Sequence, residues 1–410
     1  MSVPELPNEG LRRALYDAVD DAFEREQVPL LRRLVEQPSF TTAKPDVEAA
    51  AAIVDETAEQ LGMIAQRCPD PEGVYADHRI YRTAATRDDD RTLALVGHVD
   101  TVFPRKLGFL DFARDDGPDG PGDIVRGPGV LDMKSGLTAI LFAIAAVKRC
   151  CGAGLRVRFA CNTDEEVGSP SSEPYLHALA PKLTGALVFE AGRDADKIVT
   201  MRKGGGLFEI TVHGKAAHAG NAHAEGINAI HALALLVPRV EALTDYARGI
   251  TVNVGVIEGG TSKNTVPERA RIMIDTRFDT REDAEHVIGA LHAIARTPFR
   301  ARDWVPQKLR SVRGELHGDM TRPPMEPGEG TQELRARYEA CAADVGLGVG
   351  EAPRQGGGSD GNLFAAWGVP TIDGLGPWGK NFHQTSEYSS LTSLRRRTQA
   401  LAVLLAQELA

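Results

Sequence analysis

The sequence predicts an α/β protein: a mostly parallel mixed sheet covered by helices, with a smaller α+β domain inserted into it. Three observations carry this. Short continuous apolar runs, TLALVG at 92–97 and ALVFE at 186–190, read as strands buried on both faces. Segments with helical apolar spacing alternate with such runs, which implies parallel strands joined by helices. From Arg202 onward the apolar residues of the strands recur every second position, in a β-α-β-β-α-β order that reads as a separate ferredoxin-like insertion.

Taken in order, residues 8–37 carry a helical face of Leu30, Leu31, Leu34 and Val35, stopped by Pro38. Val47 to Leu61 is a second amphipathic helix. The strand at 92–97 ends in HVDTVFP, with His98 and Asp100 flanking Val99. Asp111 to Pro128, rich in Asp, Gly and Pro, is expected to be a surface loop. It leads into GPGVLDMKSG, where Gly127, Gly129 and Gly136 surround Asp132, and then into a buried helix over Leu137 to Val147. That apolar run is too short to span a bilayer. The alternating LRVRFAC forms a strand ending in CNTDEEVGS, so Asp164, Glu165 and Glu166 stand at its exit. A helix near Pro174 to Leu183 and the strand ending at Glu190 follow.

In the insertion, GLFEITVH, ITVNVGVIEGG and RARIMIDTRF are strands, and Asn228 to Leu243 and Arg281 to Arg296 are helices. A last strand is expected near Gln307 to Arg313, with a linker-like return at Pro323 to Gly330. The chain closes with a helix at Thr331 to Val345, the loop GGGSDGN, a short strand from Pro370, an exit loop holding His383, and a helix from about Ser393 to Glu408. These readings give a larger domain of 1–201 and 315–410 and an inserted domain of 202–314.

A chain of 410 residues exceeds one ordinary core, and 42% apolar with 25% charged residues is the balance of a globular protein. A net charge of −10 argues against nucleic acid and anionic membranes as partners. The five cysteines have no metal-like spacing, and the polar, acidic start lacks the pattern of a secretory signal, so a reducing cytoplasm is the expected compartment.

In an open α/β sheet, ligands bind beyond the C-terminal strand ends. His98, Asp132, Glu165, Glu166 and Glu190 all lie at or just past such ends, and His383 is in a strand-exit loop. Each alone reads as an ordinary surface or core residue; together they fit two divalent metals. Zinc takes imidazole nitrogen and carboxylate oxygen, and two zinc ions can share a carboxylate and a water. The expected ligands are His98 and Glu190 on one ion, Glu166 and His383 on the other, and Asp132 between them. Asp100 can accept the second imidazole N–H of His98. Glu165, left over, can take the proton of the attacking water. Manganese or cobalt would suit the same donors.

LVGHVDTVFP, RGPGVLDMKSG, NTDEEVGS, FEAGR, HGKAAHAG, GGGSDGN and the closing H-x-x-x-E-Y, in this order from about 90 to 391, resemble the di-zinc aminoacylase/glutamate carboxypeptidase family of metallopeptidases. Acetylornithine deacetylase and succinyl-diaminopimelate desuccinylase belong to that family, and the bacterial glutamate carboxypeptidases that cleave folates are similar. The resemblance implies the same metal ligands, Glu165 as base, Asp100 as the orienting residue and a cis Asp132–Met133 peptide. It implies that the insertion is a lid that often dimerises. His218 matches a histidine that reaches the partner subunit's site to polarise the scissile carbonyl, and Asn264 a second such contact. Arg277 and Arg322 match substrate-carboxylate binders, and Gly357 and Gly358 a loop near the substrate terminus.

The function expected is hydrolysis of an amide bond next to a free carboxylate, releasing a C-terminal amino acid such as glutamate. The rivals are an N-acyl-amino-acid deacylase and a metal-free binding relative. The substrate would be a small peptide or N-acyl amino acid, and the assembly a homodimer through the lid.

Overall fold

The structure, a computed structural model, describes residues 6–296 and 305–409. The chain divides into two compact units, one of residues up to 201 with 327–355 and 359 onward, the other of 202–326 with 356–358.

The first unit opens with α1 (Glu9–Ala22), capped by the Asn8 side chain, which accepts from Leu11 N at 2.9 Å. It runs on through a wide π-helical turn at Phe23–Gln27 into α2 (Val28–Glu36). Pro29 has no N–H for the regular helical bond, which is where the wider turn falls. After α3 (Lys44–Gln60) come β1 (Ile64–Cys68), β2 (His78–Arg82) and β3 (Thr92–His98). The segment expected as a surface loop instead forms a hairpin, β4 (Ala113–Gly117) and β5 (Gly120–Arg126). Gly120, which follows the turn and pairs with Gly117, takes a positive φ, and Ile124 and Val125 are buried. Then follow α4 (Ser135–Cys151), β6 (Val157–Asn162), α5 (Glu173–Leu179) and β7 (Leu183–Val188). The turn before α4, Val130–Lys134, is not regular helix, and the stretch Val130–Cys151 that it makes with α4 is longer than the apolar run suggests. That stretch is long and apolar enough to cross a membrane, but it is mostly buried as the central core helix.

The second unit contains β8 (Gly204–His213), β9 (Ala217–His218), α6 (Ala229–Glu241), β10 (Thr251–Gly259), β11 (Thr265–Val266), β12 (Arg269–Phe278), α7 (Arg281–Arg296) and β13 (Arg313–Arg322). Its antiparallel sheet has the order β10-β12-β8-β13, and β9 and β11 form a separate ribbon. Leu233, Leu236, Val287 and Leu291 of the two helices join Ile210 and Ile272 of the sheet in one core. The strand expected at 307–313 is a 3-10 turn, Gln307–Ser311, and β13 follows it, pairing with β8 along its length. The insertion therefore closes at 326, not 314. As a polar edge strand that is mostly exposed or half-buried, β13 has no apolar stripe to announce it.

The return adds α8 (Glu329–Asp344), α9 (Asp360–Ala366), β14 (Thr371–Ile372), β15 (Gly379–Lys380), β16 (Tyr388–Ser390) and α10 (Leu391–Ala406). The main sheet is ordered β1-β2-β6-β3-β7-β14. Strands β6, β3, β7 and β14 are parallel, and β1 and β2 form an antiparallel edge. A second sheet runs β15-β16-β5-β4. Register pairs His98 with Asn162 and Val96 with Val188, so the chain leaves β3, β6 and β7 at one edge. That edge is where the carboxylates and imidazoles gather.

Candidate active site

His98 ends β3 and is buried. Its Nε2 lies 3.2 Å from Asp132 Oδ1, 3.7 Å from Glu190 Oε1 and 4.0 Å from Glu165 Oε2. His383 stands in the loop between β15 and β16, with Nε2 3.3 Å from Asp132 Oδ2 and 3.1 Å from Glu166 Oε2. Asp132 thus turns one oxygen to each imidazole. Two triads result, His98–Asp132–Glu190 and Asp132–Glu166–His383, each with its donor atoms within 4.8 Å of one another. Bonds of about 2.0–2.1 Å at tetrahedral angles put ligand atoms about 3.3 Å apart. The observed spacings bracket that value, so both triads fit a small divalent cation.

The electrostatics favour a cation. Burial, with Asp132 alongside, pushes Glu166 up to about 7 and drives Glu190 well above the ordinary carboxylate range. Burial works against a charged His98, yet its bonds to Asp100 and Asp132 hold it well above the ordinary imidazole value. Bonds to Asp132 and Glu166 raise His383 to about 10. For Asp132, burial is outweighed by hydrogen bonds from His383 and His98, which hold its carboxyl well below the usual range. Positive charge of any kind is stabilised between these carboxylates.

Asp100 does more than orient His98. The Nδ1 of that ring is 3.0 Å from the Asp100 main-chain carbonyl and 3.3 Å from its Oδ1. The carboxylate also accepts from Thr41 Oγ1 at 2.8 Å and from the backbone N–H groups of Glu165 and Glu166, each at 3.3 Å. The third acid of the DEE run, Asp164, takes no part in the triads: its Oδ2 accepts from Ser171 N at 2.7 Å and Ser172 N at 3.1 Å. The Asp132–Met133 peptide is cis.

Residues 200–303 match the peptidase dimerisation domain of the M20 family. The chain is 27% identical to carboxypeptidase G2 of Pseudomonas sp. over 401 residues, covering 95% of this chain and 91% of that protein. It is 27% identical to succinyl-diaminopimelate desuccinylase of Phenylobacterium zucineum over 409 residues, covering 93% and 98%. Among solved structures it is similar to aminopeptidase PepT from Bacillus cereus, with a TM-score of 0.75, 20% identity and coverage of 93% and 98%, a likeness of fold. The chain thus carries an M20-type peptidase dimerisation domain and is similar over nearly all of its length to a carboxypeptidase and a desuccinylase. It is a metal-dependent hydrolase.

The remaining expected site residues lie in the second unit. His218 and Asn264 are neighbours on the β9–β11 ribbon: His218 pairs with Thr265, and Ala219 N donates to Asn264 O at 2.9 Å. The N–H groups of Gly220 and Asn221 donate to His218 Nδ1 at 3.1 and 3.0 Å. An Nδ1 that accepts leaves the proton of a neutral imidazole on Nε2, so this turn makes His218 a donor at its outer nitrogen. Arg277 and Arg322 both stand opposite Gly205, one on each side of β8. Arg277 is 41% exposed and holds Asp275 through Nε at 3.1 Å and Nη2 at 3.0 Å. Arg322 is only 7% exposed. Gly357 O accepts from Arg202 at 3.1 Å, and Gly358 belongs to the same unit.

Sequence reasoning assigned no role to Thr41, Lys134 or Glu387. Burial pushes the Lys134 ammonium down to about 7, and its Nζ donates to Gln37 O at 2.9 Å. Glu387 was visible only as the acid of H-x-x-x-E-Y.

Proposed function

We propose that this hydrolase uses two metal ions to cleave an amide bond next to a free carboxylate, releasing a C-terminal amino acid such as glutamate. The observation that carries this is Asp132, which offers one oxygen to each triad while Glu165, 4.0 Å from His98 Nε2, belongs to neither. His98 and Glu190 would hold one cation, Glu166 and His383 the other, and Asp132 both. Zinc is the ion we assign, and manganese or cobalt would be accepted by the same donors. Such cations supply acidity to water and polarisation to a carbonyl.

The protein groups do the rest. Glu165, excluded from both triads, takes the proton of the attacking water and returns it to the leaving amine. Asp100 fixes the His98 ring and the backbone from which Glu165 and Glu166 project. His218 donates Nε2–H toward the developing oxyanion in the site of the other subunit of a homodimer formed through the second unit, with Asn264 as its companion. Arg277 keeps Nη1 for a substrate carboxylate while Asp275 holds the other side of its fork, and Arg322 supports it from across Gly205. Gly357 and Gly358 present main chain near the substrate terminus. Cys68, Cys150, Cys151, Cys161 and Cys341 are all free thiols, which supports a reducing, cytoplasmic setting.

Similarity to carboxypeptidase G2 over 95% of the chain supports the carboxypeptidase reading. Similarity to a desuccinylase over 93% supports a second one, an N-acyl-amino-acid deacylase. A glutamate at position 190 suits both. The test is amino-acid release by zinc-loaded protein from folate, glutamyl-terminal peptides, acetylornithine, succinyl-diaminopimelate and simple N-acyl amino acids. Glutamate release from folate or peptides supports the first reading. Cleavage of the small acyl amino acids alone replaces it with the second, and no turnover of any member refutes both.

A further inference from the structure

Glu387 is completely buried, four residues beyond His383. Its carboxylate faces peptide N–H groups: Oε1 accepts from Leu131 N at 2.7 Å and Asp132 N at 3.1 Å, and Oε2 accepts from Gly129 N at 3.4 Å. These donors are free to converge because the 130–134 turn is not regular helix. Gly129 has φ +72°, and Asp132 and Met133 have non-helical angles. A carboxylate from a distant stretch of chain thus takes the place of the missing helical acceptors.

The loop on the other side needs such an anchor. Asn381 and His383 have φ of +66° and +63°, a region that non-glycine residues rarely occupy. The His383 side chain is 48% exposed, so packing alone does not hold it. Gln384 N donates to Asn381 O at 3.1 Å and Glu387 N to Gln384 O at 2.9 Å, which folds residues 381–387 into two successive turns. The first carries the imidazole that faces Asp132 Oδ2; the second ends in the carboxylate that holds Asp132 N.

We infer that Glu387 is a positioning residue for the metal site: it fixes the backbone of Asp132 and the loop of His383 in one relation, so that the two can serve the same cations. This rests on the proposed ligand assignment of Asp132 and His383. Glu387 itself is not part of either triad.

The test is cobalt(II) titration of the full-length, metal-stripped protein, read by its visible spectrum and by competition with a chelator. Three proteins are compared: wild type, Glu387→Gln and Glu387→Ala. The Gln amide keeps one oxygen for Leu131 N and Asp132 N, so its binding is expected to stay within about 10-fold of wild type. The Ala variant leaves three peptide donors without their acceptor. It is expected to bind cobalt about 10- to 100-fold more weakly, as removing an outer partner of a metal site generally does. Its cobalt spectrum should change, and the rise in melting temperature on adding cobalt should shrink. A merely structural role would lower the melting temperature with and without cobalt alike. If Glu387→Ala is folded by circular dichroism and binds two cobalt ions with wild-type affinity and spectrum, the inference is overturned. If it does not fold, Glu387→Asp, whose carboxylate is drawn back by one methylene, is held to the same expectation and the same refutation. Fewer than two cobalt ions on wild type would refute the ligand assignment, and the role of Glu387 with it. Two ions on wild type and unchanged variants would refute Glu387 alone.

Discussion

Replacing Asp100 with Asn should damage both stability and metal binding, although it removes no proposed ligand. Asp100 is completely buried, and both its oxygens face donors. Oδ1 meets His98 Nδ1 and Glu165 N, each at 3.3 Å; Oδ2 meets Thr41 Oγ1 at 2.8 Å and Glu166 N at 3.3 Å. Whichever way the Asn amide is placed, its NH2 confronts one backbone N–H of the Glu165–Glu166 turn. A buried donor left without its acceptor costs about 1–3 kcal/mol. The bonds that survive fall from charge-assisted to neutral, losing roughly 1 kcal/mol each. Relief of repulsion from the neighbouring acids offsets part of this, because the Asp100 charge bears on both Asp164 and Glu166. The net expectation is a loss of about 2–4 kcal/mol, or about 5–10 °C in Tm for a unit of this size. Thr41→Val removes a single neutral donor and should cost about 1 kcal/mol. Thermal melts of metal-stripped and zinc-loaded protein, with zinc content by emission spectroscopy, read both effects. An Asp100→Asn protein that melts with wild type and retains its full zinc content would show that this carboxylate does not hold the Glu165–Glu166 turn.

Glu165→Gln should keep fold and metal content and lose about 10²- to 10⁴-fold in kcat, the usual contribution of a general base; wild-type kcat would remove that role. Chelation should lower Tm: an ion at a free concentration of 100 times its Kd stabilises by about 2.7 kcal/mol, and scanning calorimetry with and without EDTA would expose a site that contributes nothing. Gly136→Ala would set a Cβ 2.3 Å from Phe189 O, next to Glu190, so about 1–3 kcal/mol of stability and some zinc should be lost; a wild-type melting curve would contradict that packing. His218→Ala should reduce kcat while leaving zinc content untouched, and full activity would eliminate the proposed donor.

The sequence by itself determined which residues stand at the ends of the buried strands. The runs at 92–97, 155–161 and 186–190 are apolar enough to be strands in any arrangement of this chain. Parallel strands joined by helices must open at one edge, so His98, Glu165, Glu166 and Glu190 could be grouped before any distance was known. Asp132, in a Gly-rich turn between strand and helix, and His383, in a strand-exit loop, joined them on the same ground. Other features were legible only in three dimensions. The hairpin of β4 and β5 lies in a stretch whose Gly, Pro and Asp content describes a loop, and its strands form because β16 and β4 supply partners for β5. Strand β13 is polar along most of its length, and its pairing with β8 is a fact about β8 as much as about itself. The bonds from the peptide groups of Glu165 and Glu166 to Asp100, and from those of Leu131 and Asp132 to Glu387, depend on N–H groups that every residue except proline carries. A backbone donor has no side-chain signature. Which buried acid it meets is decided only when packing brings distant turns together.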